Sequence, residues 1–214
     1  MTIDKDDLLN SIIESLDRIQ YIKLEDIPNI DLYMDQVTTF MDKKLKSTTR
    51  NPEDDKILTK TMINNYAKND LLPPPEKKKY SKEHILLLIF IYYYKGILTI
   101  NDIQTLLNPL TEHFFQNEEF GLGNVYKEVF SLEKEQVDVL KEDVMNKFHI
   151  SKDTFRDAPE SNKDFLQLFS FICMLSFDVY VKKLLIEKMV DSFGKAADEK
   201  KKEGRKEKSE SEKK

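Results

Sequence analysis

Two asparagines and two lysines at helical spacing are the residues of this chain best suited to direct chemistry with a ligand. Asn64 and Asn65 lie in a short predicted helix, and Lys60 and Lys68 flank them about one turn away on either side. An asparagine amide can pair with the edge of adenine, and a lysine can contact phosphate or guanine. The spacing therefore predicts a polar helix face that can read base edges in a DNA groove.

A lysine-rich segment follows this helix. Residues 73–75 are all proline, which ends any helix and favours an extended turn, and three consecutive lysines follow at residues 77–79. Residues 56–82 carry seven lysines against two carboxylates, a local charge of +5 in a chain of net charge -5. Such asymmetry is typical of an anion-binding surface. A solvated lysine loop is the alternative and, on charge alone, the commoner case.

Residues that could support catalysis or metal binding are few and scattered. The histidines, His84, His113 and His149, lie far apart without a cysteine or carboxylate at ligand spacing, so packing or surface roles are expected. Residues 121–123, Gly-Leu-Gly, lack the Gly-Lys-Ser/Thr of a phosphate loop. Cys173 lies in an apolar run, which predicts an inert buried thiol. The sequence therefore predicts no enzyme, no cofactor and no metal site.

Composition favours a soluble helical protein. Only 5 of 214 residues are glycine, which disfavours turn-rich β folds, and 34% are charged. A single cysteine excludes an internal disulfide, and the acidic N-terminus lacks a signal-peptide pattern, so a cytoplasmic location is expected. Residues 165–181 are apolar but short for a membrane span, so they predict a buried helix and no membrane partner.

Apolar periodicity and capping residues locate the helices. Thr59 and Thr99 are expected to cap two of them, and residues 85–94 are apolar all round, which predicts a helix buried on every side. Residues 47–56 are polar and form a predicted loop. The predicted helices are residues 6–21, 31–46, 59–69, 85–94, 99–107, 125–148 and 164–193.

The order of short helix, basic loop, buried helix and capped helix resembles the DNA-binding domain of the mercury-resistance-regulator (MerR) superfamily. Residues 71–74, Leu-Leu-Pro-Pro, match the turn into the wing of that domain, and residues 79–81, Lys-Tyr-Ser, match the Arg-Tyr-Ser that leaves it. Residues 99–107 match its Ser-Leu-Glu-Glu-Ile helix. The whole chain is also similar to an uncharacterised bacterial family of unknown function (DUF1836-like), whose name supplies no activity.

The chain departs from the superfamily pattern at four positions. Thr61 and Asn64 stand where the superfamily usually has arginine, Asn65 replaces a tyrosine, and Asp70 replaces a glycine. The loop at residues 47–56 is also longer than the superfamily turn. The four substitutions bear on the DNA contacts more than on the fold, whereas the longer loop either changes the helix-turn-helix geometry or extends the turn over the surface.

The resemblance implies an all-α fold with a small β-wing, made of a winged helix-turn-helix and a C-terminal helical domain. It implies a DNA-binding transcriptional regulator of the MerR-like type, with double-stranded DNA as partner and an effector that the sequence does not identify. The alternative is a helical protein-interaction module that keeps the winged fold without binding DNA. The expected DNA-binding residues are Thr59, Lys60, Thr61, Asn64, Asn65, Lys68, Lys77, Lys78, Lys79 and Tyr80.

These patterns divide the chain into four predicted segments. They are an N-terminal amphipathic helix at 1–29, the winged helix-turn-helix at 30–109, a helical dimerisation or effector region at 110–194, and a disordered charged tail at 195–214. Two apolar stripes on the last helix need two partners, which predicts a homodimer. One stripe comprises Phe165, Leu168, Phe169, Ile172, Leu175 and Val179, and the other comprises Leu166, Cys173, Phe177, Val181 and Leu184.

Overall fold

The structure is a computed structural model that describes residues 5–17 and 21–211, with side chains described except at residues 6, 17, 133–135 and 197–211. The chain is mostly helical, with a two-stranded antiparallel sheet of order β1-β2. The expectation of a helical fold with a small sheet is confirmed at that level. The elements are α1 (Lys5–Asp17), β1 (Leu32–Tyr33), α2 (Met34–Leu45), α3 (Lys60–Lys68), β2 (Lys79–Tyr80), α4 (Lys82–Tyr94), α5 (Ile100–Phe114), α6 (Leu122–Ser131), α7 (Glu133–Lys152) and α8 (Glu160–Ser211).

Helix α4 forms the centre of the main core. Its sequence is apolar on every side, so other elements must surround it, and residues 84–91 are all buried. β2, α5 and α6 all pack against α4. The prediction of a buried helix at this position is therefore confirmed.

Local hydrogen bonds fix the starts of α3 and α5. The Thr59 hydroxyl accepts from the amide of Met62 at 3.1 Å. At the start of α5, the amide of Asp102 donates to the Thr99 hydroxyl at 3.3 Å, and the Asp102 carboxylate accepts from the Thr99 amide at 3.1 Å. These side chains satisfy amides that have no partner inside the helix. Both predicted caps are confirmed.

The sheet joins two segments that are distant in sequence. Leu32 pairs with Tyr80 and Tyr33 pairs with Lys79, so the strand before α2 is bonded to the strand that follows the three lysines. A tight turn at residues 76–79, here called the lysine turn, leads into β2. The amide of Lys79 donates to the carbonyl oxygen of Glu76 at 2.8 Å and closes this turn.

A second, smaller core lies between α1, α7 and α8. Leu9 of α1 packs with Val144 and Phe148 of α7 and with Phe171 of α8. The Lys5 ammonium adds an ion pair with Asp164 at 2.6 Å. The first helix, predicted to form a segment of its own, therefore packs against the C-terminal helices. This arrangement buries the apolar side of an amphipathic helix that is too short to be stable alone.

The structure differs from the prediction at the end of α5 and within the helix predicted at 125–148. Pro109, predicted to close the winged region, lies inside α5, which continues to Phe114. Leu110 and Phe114 extend the apolar face of that helix over the main core, and their burial offsets the hydrogen bond that proline cannot make. The helix predicted at 125–148 is two helices, α6 and α7, joined at Leu132.

Helix α8 contacts both cores but leaves one side uncovered. It packs against α1 and α7 near its start, and Val190 joins the main core farther along. The predicted burial of this helix is wrong, because Phe165 and Phe177 are 68% and 65% exposed. Cys173, predicted to be buried, is exposed as well. An apolar helix needs a partner surface, and within the described part of the chain α8 has one on only part of its circumference.

The backbone of α8 remains helical to Ser211, so it includes most of the tail predicted to be disordered. Side chains beyond residue 196 lie outside the described ones, and the disorder of this segment stays a prediction. No helix within the described residues is long and apolar enough to cross a membrane.

Candidate nucleic-acid interface

Helix α3 presents a polar face to solvent. Ile63 and Tyr66 are buried and anchor the helix on the main core. The residues on the opposite side are exposed and are here called the α3 face: Lys60, Thr61, Asn64, Asn65 and Lys68. Because the inward and outward residues alternate at helical spacing, the sequence alone suffices to predict this face.

Two of the predicted contact residues in this region already have partners. The Thr59 hydroxyl is the N-cap of α3 and is half-buried. The Lys60 ammonium forms an ion pair with the Asp35 carboxylate in the first turn of α2. Both groups of this pair are well exposed, so water competes with the ion pair and it is weak. Lys60 is therefore able to exchange the carboxylate for another anion.

The end of α3 is held in one conformation. The amide of Leu71 donates to the carbonyl oxygen of Tyr66 at 2.9 Å, and the Asp70 amide donates to that of Ala67 at 3.4 Å. Asp70 has φ of 55°, so this is a Schellman termination with aspartate at the position that favours glycine. The side-chain amide of Gln104, on α5, also donates to the carbonyl oxygen of Asn69 at 3.2 Å. The α3 face is thus carried by a helix fixed at both ends.

The lysine turn presents two ammonium groups to solvent. Lys77 and Lys78 are exposed, and both have left-handed backbone conformations, with φ of 48° and 65°. Positive φ at both central residues is the pattern of a type I′ turn, which normally uses asparagine or glycine. Lys79 is half-buried, with its ammonium 5.3 Å from the centre of the Tyr33 ring. The turn therefore offers two lysines fully to a ligand and the third only in part.

Tyr80 does not lie on this surface, and its prediction as a DNA contact is wrong. The residue is 3% exposed, and its ring packs edge-on against the His84 ring at 5.6 Å. Burial raises the pKa of its hydroxyl. Successive residues of a strand point to opposite faces, and the pairing of Leu32 with Tyr80 places both in the core.

His84 is a buried link between α4 and the segment before it. Its Nδ1 accepts from the Ser81 amide at 3.0 Å, and its Nε2 faces the carbonyl groups of Pro73 and Pro74 without a well-aligned hydrogen bond. Burial lowers the pKa of the imidazole, although these carbonyls oppose the shift. The neutral ring therefore has a structural role, as its position in a first helical turn predicts. Among the described residues, no three His, Cys, Asp or Glu side chains are grouped to hold a metal.

The connection between α2 and α3 packs beside the start of α3. Ile57 and Leu58 are buried, and the Lys95 ammonium donates to the carbonyl oxygen of Ile57 at 2.7 Å. Residues 53–55, Glu-Asp-Asp, line a polar cleft together with Lys60. The sequence predicts this loop but gives no indication that its carboxylates lie beside the α3 face.

Residues 22–129 of the chain match the model of a family described as a domain of unknown function (DUF1836). The chain belongs to this family. The DUF1836 region contains the α3 face, the lysine turn and nearly all of the main core, whose described members run from Ile22 to Tyr126 with Val190 added from α8. Helices α7 and α8 lie outside it. No curated protein and no solved structure gave a significant match to the chain.

Proposed function

We propose that this DUF1836 protein is a cytoplasmic DNA-binding transcriptional regulator of the MerR-like winged-helix type. The observation that carries the proposal is the exposure of the Asn64 and Asn65 amides on a helix fixed at both ends. Side chains that read bases must be held in register with the groove, and a fixed helix supplies that constraint. The MerR resemblance of residues 71–81 supports the same assignment.

The proposed contacts divide into two classes. Asn64 and Asn65 supply amides for the edge of adenine, and this class determines the sequence preference. Lys68, Lys77 and Lys78 supply charge for phosphates, which adds affinity for any sequence and makes it depend on salt. We place Thr61 beside the two asparagines, at the edge of the surface that contacts the bases, because its side chain is short and exposed.

A second copy of the chain is the proposed occupant of the uncovered side of α8. We call this side the α8 stripe, and it contains Phe165, Phe169, Ile172, Cys173, Ser176, Phe177, Val179, Tyr180 and Leu184. Its four aromatic residues are each half to two-thirds exposed. At roughly 200 Å² per aromatic side chain, they alone leave about 500 Å² uncovered.

The aliphatic members bring the α8 stripe close to the ~800 Å² per partner of a standard interface. Asp178 lies beside the stripe, but its carboxylate faces the Lys147 ammonium at 2.7 Å. The residues of the stripe carry no charge, and Lys183, one turn after Val179 on the same side of α8, pairs with Glu187 at 3.7 Å. A self-complementary apolar surface of this size suits a twofold dimer, which in turn suits a DNA site with two half-sites.

Selection from random duplex DNA tests the proposed function directly. We expect the purified protein to enrich a defined sequence, with an affinity that falls steeply as salt rises. The same selection with Asn64→Ala and Asn65→Ala together is expected to enrich no sequence. A wild-type protein that shows no salt-dependent binding to duplex DNA would contradict the proposal.

One observation favours the alternative, a protein-interaction module that does not bind DNA. The carboxylates of Asp42 and residues 53–55 balance the four lysines that line the same cleft, Lys43, Lys46, Lys56 and Lys60, so the start of α3 offers phosphates no net positive charge there. If these charges prevent binding, Glu53→Gln, Asp54→Asn and Asp55→Asn together should create DNA affinity that the wild type lacks. If the wild type already binds, the same change should only strengthen binding.

A further inference from the structure

An aromatic cleft of about 460 Å³ is lined mostly by the DUF1836 region, with Tyr21, Phe130 and Ser131 just outside it, and shares no residue with the α3 face or the lysine turn. The segment before α2 forms one wall, α6 forms another, and the start of α4 closes one end. The described lining residues are Tyr21, Ile22, Lys23, Leu24, Glu25, Lys82, Tyr126, Lys127, Phe130 and Ser131. A volume of this size is that of a site for one small molecule.

The floor of the aromatic cleft is a cluster of rings. The ring centres of Tyr126 and Phe130 lie 4.2 Å apart, and those of Tyr21 and Phe130 lie 4.3 Å apart. The Tyr126 ring is buried, and its hydroxyl donates to the carbonyl oxygen of Ile22 at 2.5 Å, so Tyr126 supports the floor while the half-buried rings of Tyr21 and Phe130 form its surface. Tyr93 packs edge-on against Tyr21 at 4.9 Å and supports the floor from behind. Such a floor favours a flat apolar body.

The rim of the cleft is cationic. Lys23, Lys82 and Lys127 line it, and Glu25 is the single carboxylate among the described lining residues, which leaves an excess of two positive charges. Among the described residues, the Lys82 ammonium reaches only the Asn29 side chain, at the long distance of 3.5 Å. Ammonium groups above an apolar floor attract an anion more strongly than they would in open water.

We propose that the aromatic cleft binds a small organic anion with a flat apolar body, in the class of the aromatic carboxylates. The rings would stack on the body, and the lysines would pair with the carboxylate. A free inorganic anion would leave the aromatic floor unused, and a neutral aromatic would leave the lysines unpaired. The proposal is independent of DNA binding, because the two surfaces have no residue in common.

A matched pair of ligands tests the proposal by titration calorimetry of the full-length protein. 2-Naphthoate and 2-naphthamide have the same ring system and differ in charge. We expect naphthoate to bind at least about fivefold more tightly, the effect of roughly 1 kcal/mol from ion pairing at a partly exposed site. Naphthamide is expected to bind weakly through the rings alone.

Two variants with the same loss of charge locate the site. Lys82→Gln with Lys127→Gln should remove most of the preference for naphthoate over naphthamide. Lys77→Gln with Lys78→Gln, on the lysine turn, should leave both affinities unchanged. Ser131→Trp, which adds a bulky ring at the edge of the cleft, should weaken the binding of both ligands.

The proposal is overturned if naphthoate shows no binding up to millimolar concentration, if it binds no better than naphthamide, or if the Lys82/Lys127 variant binds like the wild type.

Discussion

The amide of Leu71 donates to the carbonyl oxygen of Tyr66 across five residues, and this bond sets the direction in which the chain leaves α3. It requires Asp70 to adopt φ of 55°, a conformation that costs most residues about 1–2 kcal/mol. The proline segment, the lysine turn and β2 all follow from this point. The end of α3 therefore positions the lysine turn relative to the core.

Asp70→Gly should stabilise the protein. Glycine adopts positive φ without the steric cost of a Cβ atom, and the hydrogen bonds of the turn do not use the Asp70 side chain. We expect the free energy of unfolding to rise by about 0.5–1 kcal/mol, measured by urea denaturation. Asp70→Ala is the matched control, and it should not stabilise, because alanine keeps the Cβ atom. A less stable glycine variant would show that the Asp70 carboxylate has a role that the backbone argument omits.

Substitutions on the α3 face and on the lysine turn should weaken DNA binding in two different ways. Asn64→Ala should cost about 1–3 kcal/mol on the selected sequence and little on random DNA, because it removes a contact with a base edge. Lys77→Gln with Lys78→Gln should weaken both kinds of DNA alike. It should also flatten the dependence of log affinity on log salt by roughly one unit for each phosphate that the variant no longer neutralises.

Lys79→Gln supplies the control for that experiment. Lys79 is half-buried and its ammonium lies over the Tyr33 ring. This variant should therefore lose less affinity for DNA than Lys77→Gln alone or Lys78→Gln alone. Equal losses at Lys77, Lys78 and Lys79 would mean that general charge, and not the geometry of the turn, determines binding.

Local patterns predict the parts of this molecule that depend on neighbours in sequence. The caps at Thr59 and Thr99 follow from hydrogen bonds over three residues, and the α3 face follows from helical spacing. The position of Tyr80 does not, because it depends on the pairing of β2 with a strand about fifty residues earlier. Local patterns do not predict the packing of α1 on α7 either, because the two helices lie far apart in sequence. Apolar composition predicts that α8 needs partners, but it cannot say whether they lie within the same chain.

The stability of the fold should fall in mild acid because of His84. Burial lowers the pKa of this imidazole in the folded protein below its usual 6.5, although the carboxylates of Asp31 and Glu76 oppose the shift. The unfolded chain therefore binds the proton first as the pH falls. The stability that depends on neutral His84 is fully present above about pH 6.5 and is lost progressively below it.

Urea denaturation at pH 7.5 and 5.5 measures this effect. The wild type should lose more stability between the two values than His84→Gln, whose side chain does not titrate. His113→Gln is the matched control, because His113 is exposed, and it should keep the pH dependence of the wild type. A His84→Gln variant with undiminished pH dependence would assign the effect to other groups.

The α8 stripe should hold two chains together. Phe169→Glu with Phe177→Glu places two carboxylates in the centre of the proposed apolar interface, where burial of unpaired charge is costly. We expect light scattering to give a dimer for the wild type at micromolar concentration and a monomer for this variant. Both residues are exposed in the single chain, so the variant should keep its helical circular dichroism. Phe120→Glu, at an exposed phenylalanine between α5 and α6, is the control and should remain dimeric. If the wild-type protein is monomeric at these concentrations, a second copy of the chain is not the partner of α8. If the variant with both glutamates is still a dimer, the interface lies elsewhere.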